Sequence, residues 1–248
     1  VVNVIDYHPG TSLLHRLNPV AKLALAVGII AGIFLAASYL LLVGLIALTI
    51  ALAAVAGVAD RMLRLLKLLV PIALFMLAIQ VLLVHEGEPI LGPVTDEGLS
   101  IGGKACLRLL GVALPLMLIL MVTKLTDLAN ACVEHLHIPY RYAFTFTTAL
   151  RFVPVFSQEM DSIIEAQTAR GVEYDSRNPM KRLRLMLPLC IPLLISSVGK
   201  ADASALAAEQ RGFYLRTRDS SFKRYPFAAM DLVTLAAAVA LIVLGILF

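Results

Sequence analysis

Five stretches of the chain are almost free of charge, and polar punctuation separates them. Val20 to Ala37 opens the series, with Pro19 suited to a first helical turn and Lys22 as its single charge near the entrance. Leu40 to Val58 follows Ser38 and Tyr39 so closely that only a tight antiparallel hairpin can join the two. Leu68 to Val84, Leu99 to Val122 and Phe227 to Phe248 complete the set. Each tract approaches or exceeds the roughly 20 apolar residues that a helix needs to cross a bilayer, so the pattern predicts five spans. The first eighteen residues are polar and mixed, without the basic and apolar regions of a cleaved signal.

Two further apolar stretches, Tyr140 to Phe156 and Leu185 to Val198, do not read as spans. Counting both would place the segment between them, with Arg170, Arg177 and Lys181, outside the cell, against the positive-inside bias. The second stretch is short, and Pro188 and Pro192 interrupt it. Both are expected on the inner side, packed against each other or lying at the membrane interface.

Composition agrees with a bilayer protein. Of the 248 residues 60% are hydrophobic and 15% charged, with a mean hydropathy of +0.88. A soluble domain averages about 45–50% apolar and about 25% charged. The net charge of +4 bears on topology more than on nucleic acid, for which no partner role is expected. Arg61, Arg64 and Lys67 follow the second tract and belong inside, whereas Glu86, Glu88, Asp96 and Glu97, with no Lys or Arg among them, read as an external loop. Fourteen of the 21 Lys and Arg lie between Thr123 and Tyr225, interleaved with ten acids. The chain thus divides into residues 1–123 with four spans, a cytosolic segment 124–226 and a last span 227–248. The N-terminus is expected inside and the C-terminus outside. Cys106, Cys132 and Cys190 form an odd set without paired spacing, which excludes a disulfide scaffold. Lys104 is expected to snorkel, and Arg108, a turn deeper, to find a polar partner.

No phosphate-binding loop, metalloprotease motif, paired-cysteine motif or nucleophile elbow occurs. His135 and His137 in VEHLH stand two apart and do not share a helix face, so they read as a turn before they read as a metal site. The spans also lack the intramembrane acids on which a secondary transporter binds its ion.

The informative residues are in the cytosolic segment. Glu159 to Gly171 reads as a helix with acids early and Arg170 before Gly171 at its end, as the macrodipole and a left-handed C-terminal residue favour. Glu159, Ser162, Ile163, Ala166 and Arg170 fall on one face. Forty-one residues on, the ending returns as Gln210, Arg211 and Gly212, with Ala201, Ser204, Ala205, Ala208 and Arg211 on one face. Two ordinary helix ends are one reading; paired docking helices are the other, because small residues let a groove approach and arginine forms bidentate pairs with carboxylates. In the first span Ala24, Gly28, Gly32 and Ala36 make a small-xxx-small series for packing against a neighbouring span or a partner.

The runs HPGTSLLHRLNPVAKL, LRFVPVFSQEMDSIIEAQTARG and ADASALAAEQRGF resemble the T component of energy-coupling factor transporters, the transmembrane scaffold of vitamin and of cobalt or nickel import systems. The resemblance spans nearly the whole chain. Its mark is a pair of Ala-Arg-Gly signatures: Ala169, Arg170 and Gly171 match, and Gln210 replaces the usual alanine before Arg211 and Gly212. With the five apolar tracts it gives an all-α polytopic protein of a prokaryotic cell membrane, with about five transmembrane helices and a helical cytosolic coupling region. It also implies that the chain joins two ATP-binding-cassette ATPases, which hold the ATP and Mg, to a membrane-embedded substrate-binding S component. On that reading Arg170 and Arg211 sit on coupling helices, one in a groove of each ATPase, and this chain binds no cofactor or metal and catalyses nothing. The opening run favours a vitamin system over a metal one. A self-contained secondary transporter or channel, and a membrane-embedded enzyme, are the rival readings.

Overall fold

The computed structural model describes residues 7, 9–10, 12–84, 89–91, 94–172, 174, 179–215 and 224–248. Two compact units form, one from residues 1–136 with 225–248 and one from residues 137–224. This compaction differs from the division by membrane side, because residues 124–136 pack with the apolar bundle.

The first unit begins with a single turn, α1 (Leu13–Arg16), and continues with α2 (Pro19–Leu35), α3 (Tyr39–Val55), α4 (Ala59–Leu83), α5 (Asp96–Val122) and α6 (Leu125–His135). Capping residues set the starts. Asn18 Oδ1 accepts from Val20 N at 3.0 Å ahead of Pro19, Ser38 Oγ accepts from Leu41 N at 3.2 Å, and Thr95 Oγ1 accepts from Gly98 N at 3.2 Å. Between α4 and α5 the acidic loop carries a small antiparallel hairpin, β1 (Pro89–Leu91) with β2 (Val94–Thr95), where the sequence suggested only loop; residues 85–88 and 92–93 lie outside the described set. The last helix of this unit returns after the second unit.

That second unit holds α7 (Tyr140–Ala169), α8 (Pro179–Met186) and α9 (Cys190–Gln210), with a 3₁₀ turn at Leu187–Leu189 joining the last two and another at Phe213–Leu215. The final helix, α10 (Ala229–Leu247), belongs to the first unit.

Within the bundle, α2 and α10 meet backbone to backbone. A Cβ on Gly28 would lie 2.8 Å from the Ala238 carbonyl oxygen, one on Gly32 2.9 Å from that of Leu241, and one on Gly245 2.8 Å from Gly32 Cα. Lipid supplies no hydrophobic drive between helices, so this backbone-to-backbone van der Waals contact holds the pair. Ile29, Ile33, Ala36, Leu42 and Leu45 pack beside it, and Met62, Leu65, Leu114, Leu118 and Met121 form a second core where α4 and α5 meet α3. Pro71 and Pro115 lie inside α4 and α5, as neighbouring helices in a membrane bundle allow.

The helix ends meet as an alternating order of passes requires. Ala37 N and Ser38 N, just past α2, donate to the Phe248 carbonyl at 3.2 and 3.0 Å, while Asn18 N, just before α2, donates to Asp231 Oδ1 near the start of α10 at 2.8 Å. Hence α2 and α10 run parallel. Tyr39 Oη donates to the Ser100 carbonyl at 2.6 Å, so α5 starts where α2 ends and runs back. Lys104 Nζ lies 5.5 Å from the Tyr39 ring centre. The polar partner of Arg108 is the Ala36 carbonyl, reached by Nη2 at 3.0 Å, and its Nε is buried without a partner among the described residues.

Among the described residues, α4, α5, the helical run Leu183–Gln210 and α10 are long and apolar enough to cross a membrane by length and composition. Helices α2 and α3 have 17 residues each, about 25 Å, at the short end of the spanning range. Two expectations need correction. The stretch 185–198 is not short: it belongs to a helical run of 28 residues, in which the interruption expected at Pro188 is a 3₁₀ turn between α8 and α9, whereas Pro192 falls in the first turn of α9, where a missing N–H breaks nothing. Likewise Tyr140–Phe156 and Glu159–Ala169 are one helix of 30 residues that passes through Pro154.

Candidate coupling site

In the second unit α7 and α9 lie side by side, joined near their middles by a polar cluster that sequence reasoning missed. Glu159 pairs with Lys200, Ser196 Oγ donates to Glu159 Oε1 at 2.9 Å, and Lys200 Nζ donates to Ser196 Oγ at 3.0 Å. The hydrogen bonds from Lys200 and then Ser196 hold the Glu159 carboxyl below the usual carboxylate range. The only signal in the sequence was Glu159 itself, placed on the face that was read as docking surface; the structure turns it toward α9.

Aromatic rings fix the direction. Phe213, just after α9, stacks at 4.9 Å on Phe144 and 5.7 Å on Tyr140 in the first turns of α7. The end of α9 therefore lies beside the start of α7, and the two helices are antiparallel. Arg170 stands eleven residues beyond Glu159 and Arg211 eleven beyond Lys200, in opposite directions. At about 1.5 Å per residue, the two arginines are separated by roughly 30 Å along the pair.

Both helices end in the same way. Arg170 (φ −86°, ψ 5°) and Arg211 (φ −86°, ψ 8°) are the C-cap residues, and Gly171 (φ +90°) and Gly212 (φ +72°) follow in the left-handed region that only glycine adopts without strain. After α7, Gly171 N donates to the Thr168 carbonyl at 2.9 Å and Val172 N to that of Gln167 at 3.1 Å, the two bonds of a Schellman ending. After α9 the inner bond recurs, from Gly212 N to the Glu209 carbonyl at 2.9 Å, and the chain then turns into the 3₁₀ segment. The two guanidinium groups are thus launched from equivalent backbone positions, both exposed, as are Ala169 and Gln210.

The small-residue faces divide. Ala208 and Arg211 line an open cleft of about 920 Å³ between the helices, with Arg151, Phe152, Lys200 and Ser204. Ala201 and Ala205 are exposed outside its lining; Ile163 is half-buried and Ala166 exposed. Of the series in α2, Gly28 and Gly32 meet α10, and Ala36 is buried in the adjoining core. His135 donates from Nε2 to the Tyr225 carbonyl at 2.7 Å, and among the described residues no three His, Cys, Asp or Glu side chains group as metal ligands.

An all-α polytopic membrane protein with a separate helical unit ending in two matched Arg-Gly caps is the class that these observations define. The family model described as "CbiQ: Cobalt transport protein" matches residues 10–221. The chain is 37% identical over 221 residues to the energy-coupling factor transporter transmembrane protein EcfT of Acidaminococcus fermentans, covering 83% of this chain and 81% of that one. It is 29% identical to the protein of the same name from Bacillus subtilis, over 95% of this chain and 93% of that one. The chain belongs to the CbiQ family, among the transmembrane proteins of energy-coupling factor transporters.

Proposed function

We propose that this chain is the energy-coupling subunit of an importer driven by two cytosolic ATP-binding-cassette ATPases. One ATPase docks on the Arg170 end of α7 and the other on the Arg211 end of α9. A membrane-embedded S component captures the substrate, a micronutrient such as a vitamin or cobalt or nickel. The observation that carries this reading is the antiparallel pairing of α7 and α9, which presents two equivalent arginine caps roughly 30 Å apart. One groove cannot receive both caps; two grooves on two subunits can. Each exposed guanidinium suits a bidentate, charge-assisted pair with a carboxylate in such a groove. Closure of the ATPases on nucleotide would then draw the two ends of one rigid helix pair, with the Glu159–Lys200 pair resisting their sliding.

The positive charge of residues 123–225 supports placing the second unit and the N-terminus in the cytosol of a prokaryotic cell. Without a phosphate-binding loop the chain is a non-catalytic subunit; ATP and Mg belong to the partners, and nucleic acid has no role. Co-purification tests the reading. The tagged chain should bring ATPase polypeptides with it and hydrolyse ATP only in their presence. A chain that transports substrate in liposomes with no other subunit would instead be the secondary transporter.

A further inference from the structure

The chain leaves the first unit after Leu136 and re-enters it at Tyr225. At that re-entry point Tyr225 is held through every polar group it has. Glu134 Oε2 accepts from Tyr225 N at 2.9 Å, His135 Nε2 donates to its carbonyl at 2.7 Å, and its hydroxyl donates to Asp127 Oδ1 at 2.9 Å. All three partners are on α6. Burial and then the Asp127 bond push the Tyr225 hydroxyl well above its ordinary pKa.

The same point is tied to the two parallel helices. Asn18, at the cap of α2, donates from Nδ2 to the Tyr225 carbonyl at 2.8 Å and from its backbone N to Asp231 Oδ1 at 2.8 Å. Asp231 Oδ2 in turn accepts from Ala228 N at 2.8 Å at the start of α10, and the His135 ring lies 4.3 Å from that of Phe227. Lys22 donates to the His15 carbonyl at 3.1 Å within the attraction of Asp127 and Asp231. Asn18, Asp231, Lys22 and Tyr225 are all under 10% exposed. Apolar packing alone would fix α2 against α10 in the bilayer. Directional bonds add something that packing does not: they hold α6, α2 and α10 to one backbone position and let none of them slide past it. In sequence, α10 begins four residues after Tyr225 and α7 five residues after His135.

We infer that this knot is the joint through which movement of the second unit reaches α2 and α10, with Glu134, Asp127 and Tyr225 as positioning residues. The inference rests on the proposed coupling function, because it names the path by which ATPase closure would enter the membrane bundle.

Spin labels test it in the assembled complex, in a background without the three native cysteines. Labels at Leu68→Cys on α4 and Leu232→Cys on α10, both exposed side chains of the first unit, report their separation. The probe is Mg-ATP with vanadate, added to trap the ATPases closed. In the parent complex the separation should shift on trapping. Glu134→Ala, which takes away the acceptor for Tyr225 N, should lose most of that shift while ATPase binding and ATP hydrolysis stay within about twofold. Glu134→Gln keeps an acceptor oxygen and should restore the shift, which a loss of general stability would not explain. Tyr225→Phe, which removes only the hydroxyl bond, should lose part of it and carries the test where Glu134→Ala does not assemble. A full shift in Glu134→Ala with ATPases bound would overturn the joint and leave the coupling function standing. Absence of ATPases from the parent complex would overturn both.

Discussion

Replacing Gly32 with alanine, and making the same change at Gly44, converts the α2–α10 contact into a measured energy. Gly44 lies on the exposed side of α3, and a Cβ there meets nothing within 4 Å. Relative to glycine, alanine favours a helix by about 1 kcal/mol, so Gly44→Ala should stabilise by about that amount. At Gly32 the same gain is opposed. The new carbon lands 2.9 Å from the Leu241 carbonyl oxygen, which is backbone and cannot swing away, so α10 must retreat by several tenths of an ångström. Overpacking of this kind costs about 1–3 kcal/mol. The retreat also loosens the facing contacts at Gly28 and Gly245. The two substitutions should therefore differ by about 1–3 kcal/mol, with Gly32→Ala the less stable. For a chain of this size about 2–4 °C of melting temperature corresponds to 1 kcal/mol, so the gap should be several degrees. Thermal unfolding of the two purified variants in one detergent, followed by circular dichroism, reads it. Equal stabilisation at both positions would refute the close contact and the account of bundle packing built on it.

The Glu159–Lys200 pair sets a pH dependence. Because the folded carboxyl titrates below its unfolded value, its contribution is present above about pH 4 and fades as pH falls through the folded pKa. Limited proteolysis of α7 and α9 should accelerate on acidification in the parent protein, and Glu159→Gln should be cut faster at neutral pH with a weaker acid dependence; a parent rate unchanged between neutral pH and pH 3 would contradict the pairing. Sidedness is testable with impermeant thiol reagents in intact cells lacking the native cysteines. Ser100→Cys should label from outside and Ser176→Cys only after permeabilisation, and external labelling at 176 would undo the proposed topology.

The parts of this architecture that were legible in the sequence are those imposed by the solvent. A helix in lipid must bury its own backbone polarity and face hydrocarbon, so α2, α3, α4, α5 and α10 announce themselves through apolar tracts almost free of charge. The Arg-Gly endings were legible for a local reason, since a left-handed C-terminal residue nearly demands glycine. Pro192 misled because a proline's consequence depends on its position: it reads as an interruption but falls in the first turn of α9. Pairings across long separations left no local trace. Nothing near Asn18 points to Asp231, 213 residues away, and the forty residues between the two arginines are as compatible with adjacency as with opposite ends. The direction of α9 along α7, settled by Phe144 and Phe213, is what separates them.

The central claim is that Arg170 and Arg211 engage different ATPase subunits. Removing one member of a buried, hydrogen-bonded charge pair costs about 2–5 kcal/mol. At 1.4 kcal/mol per tenfold, that is on the order of 30-fold to a few thousand-fold in each contact. The direct measurement is a pull-down of ATPase polypeptides by membrane-inserted parent chain, Arg170→Ala, Arg211→Ala and the double variant. Each single variant should retain ATPase through its intact end, and the double should retain none. Lysine at either position should restore little, since it keeps the charge without the planar fork. A double variant that still holds its ATPases as the parent does would reduce these motifs to helix ends and contradict the account.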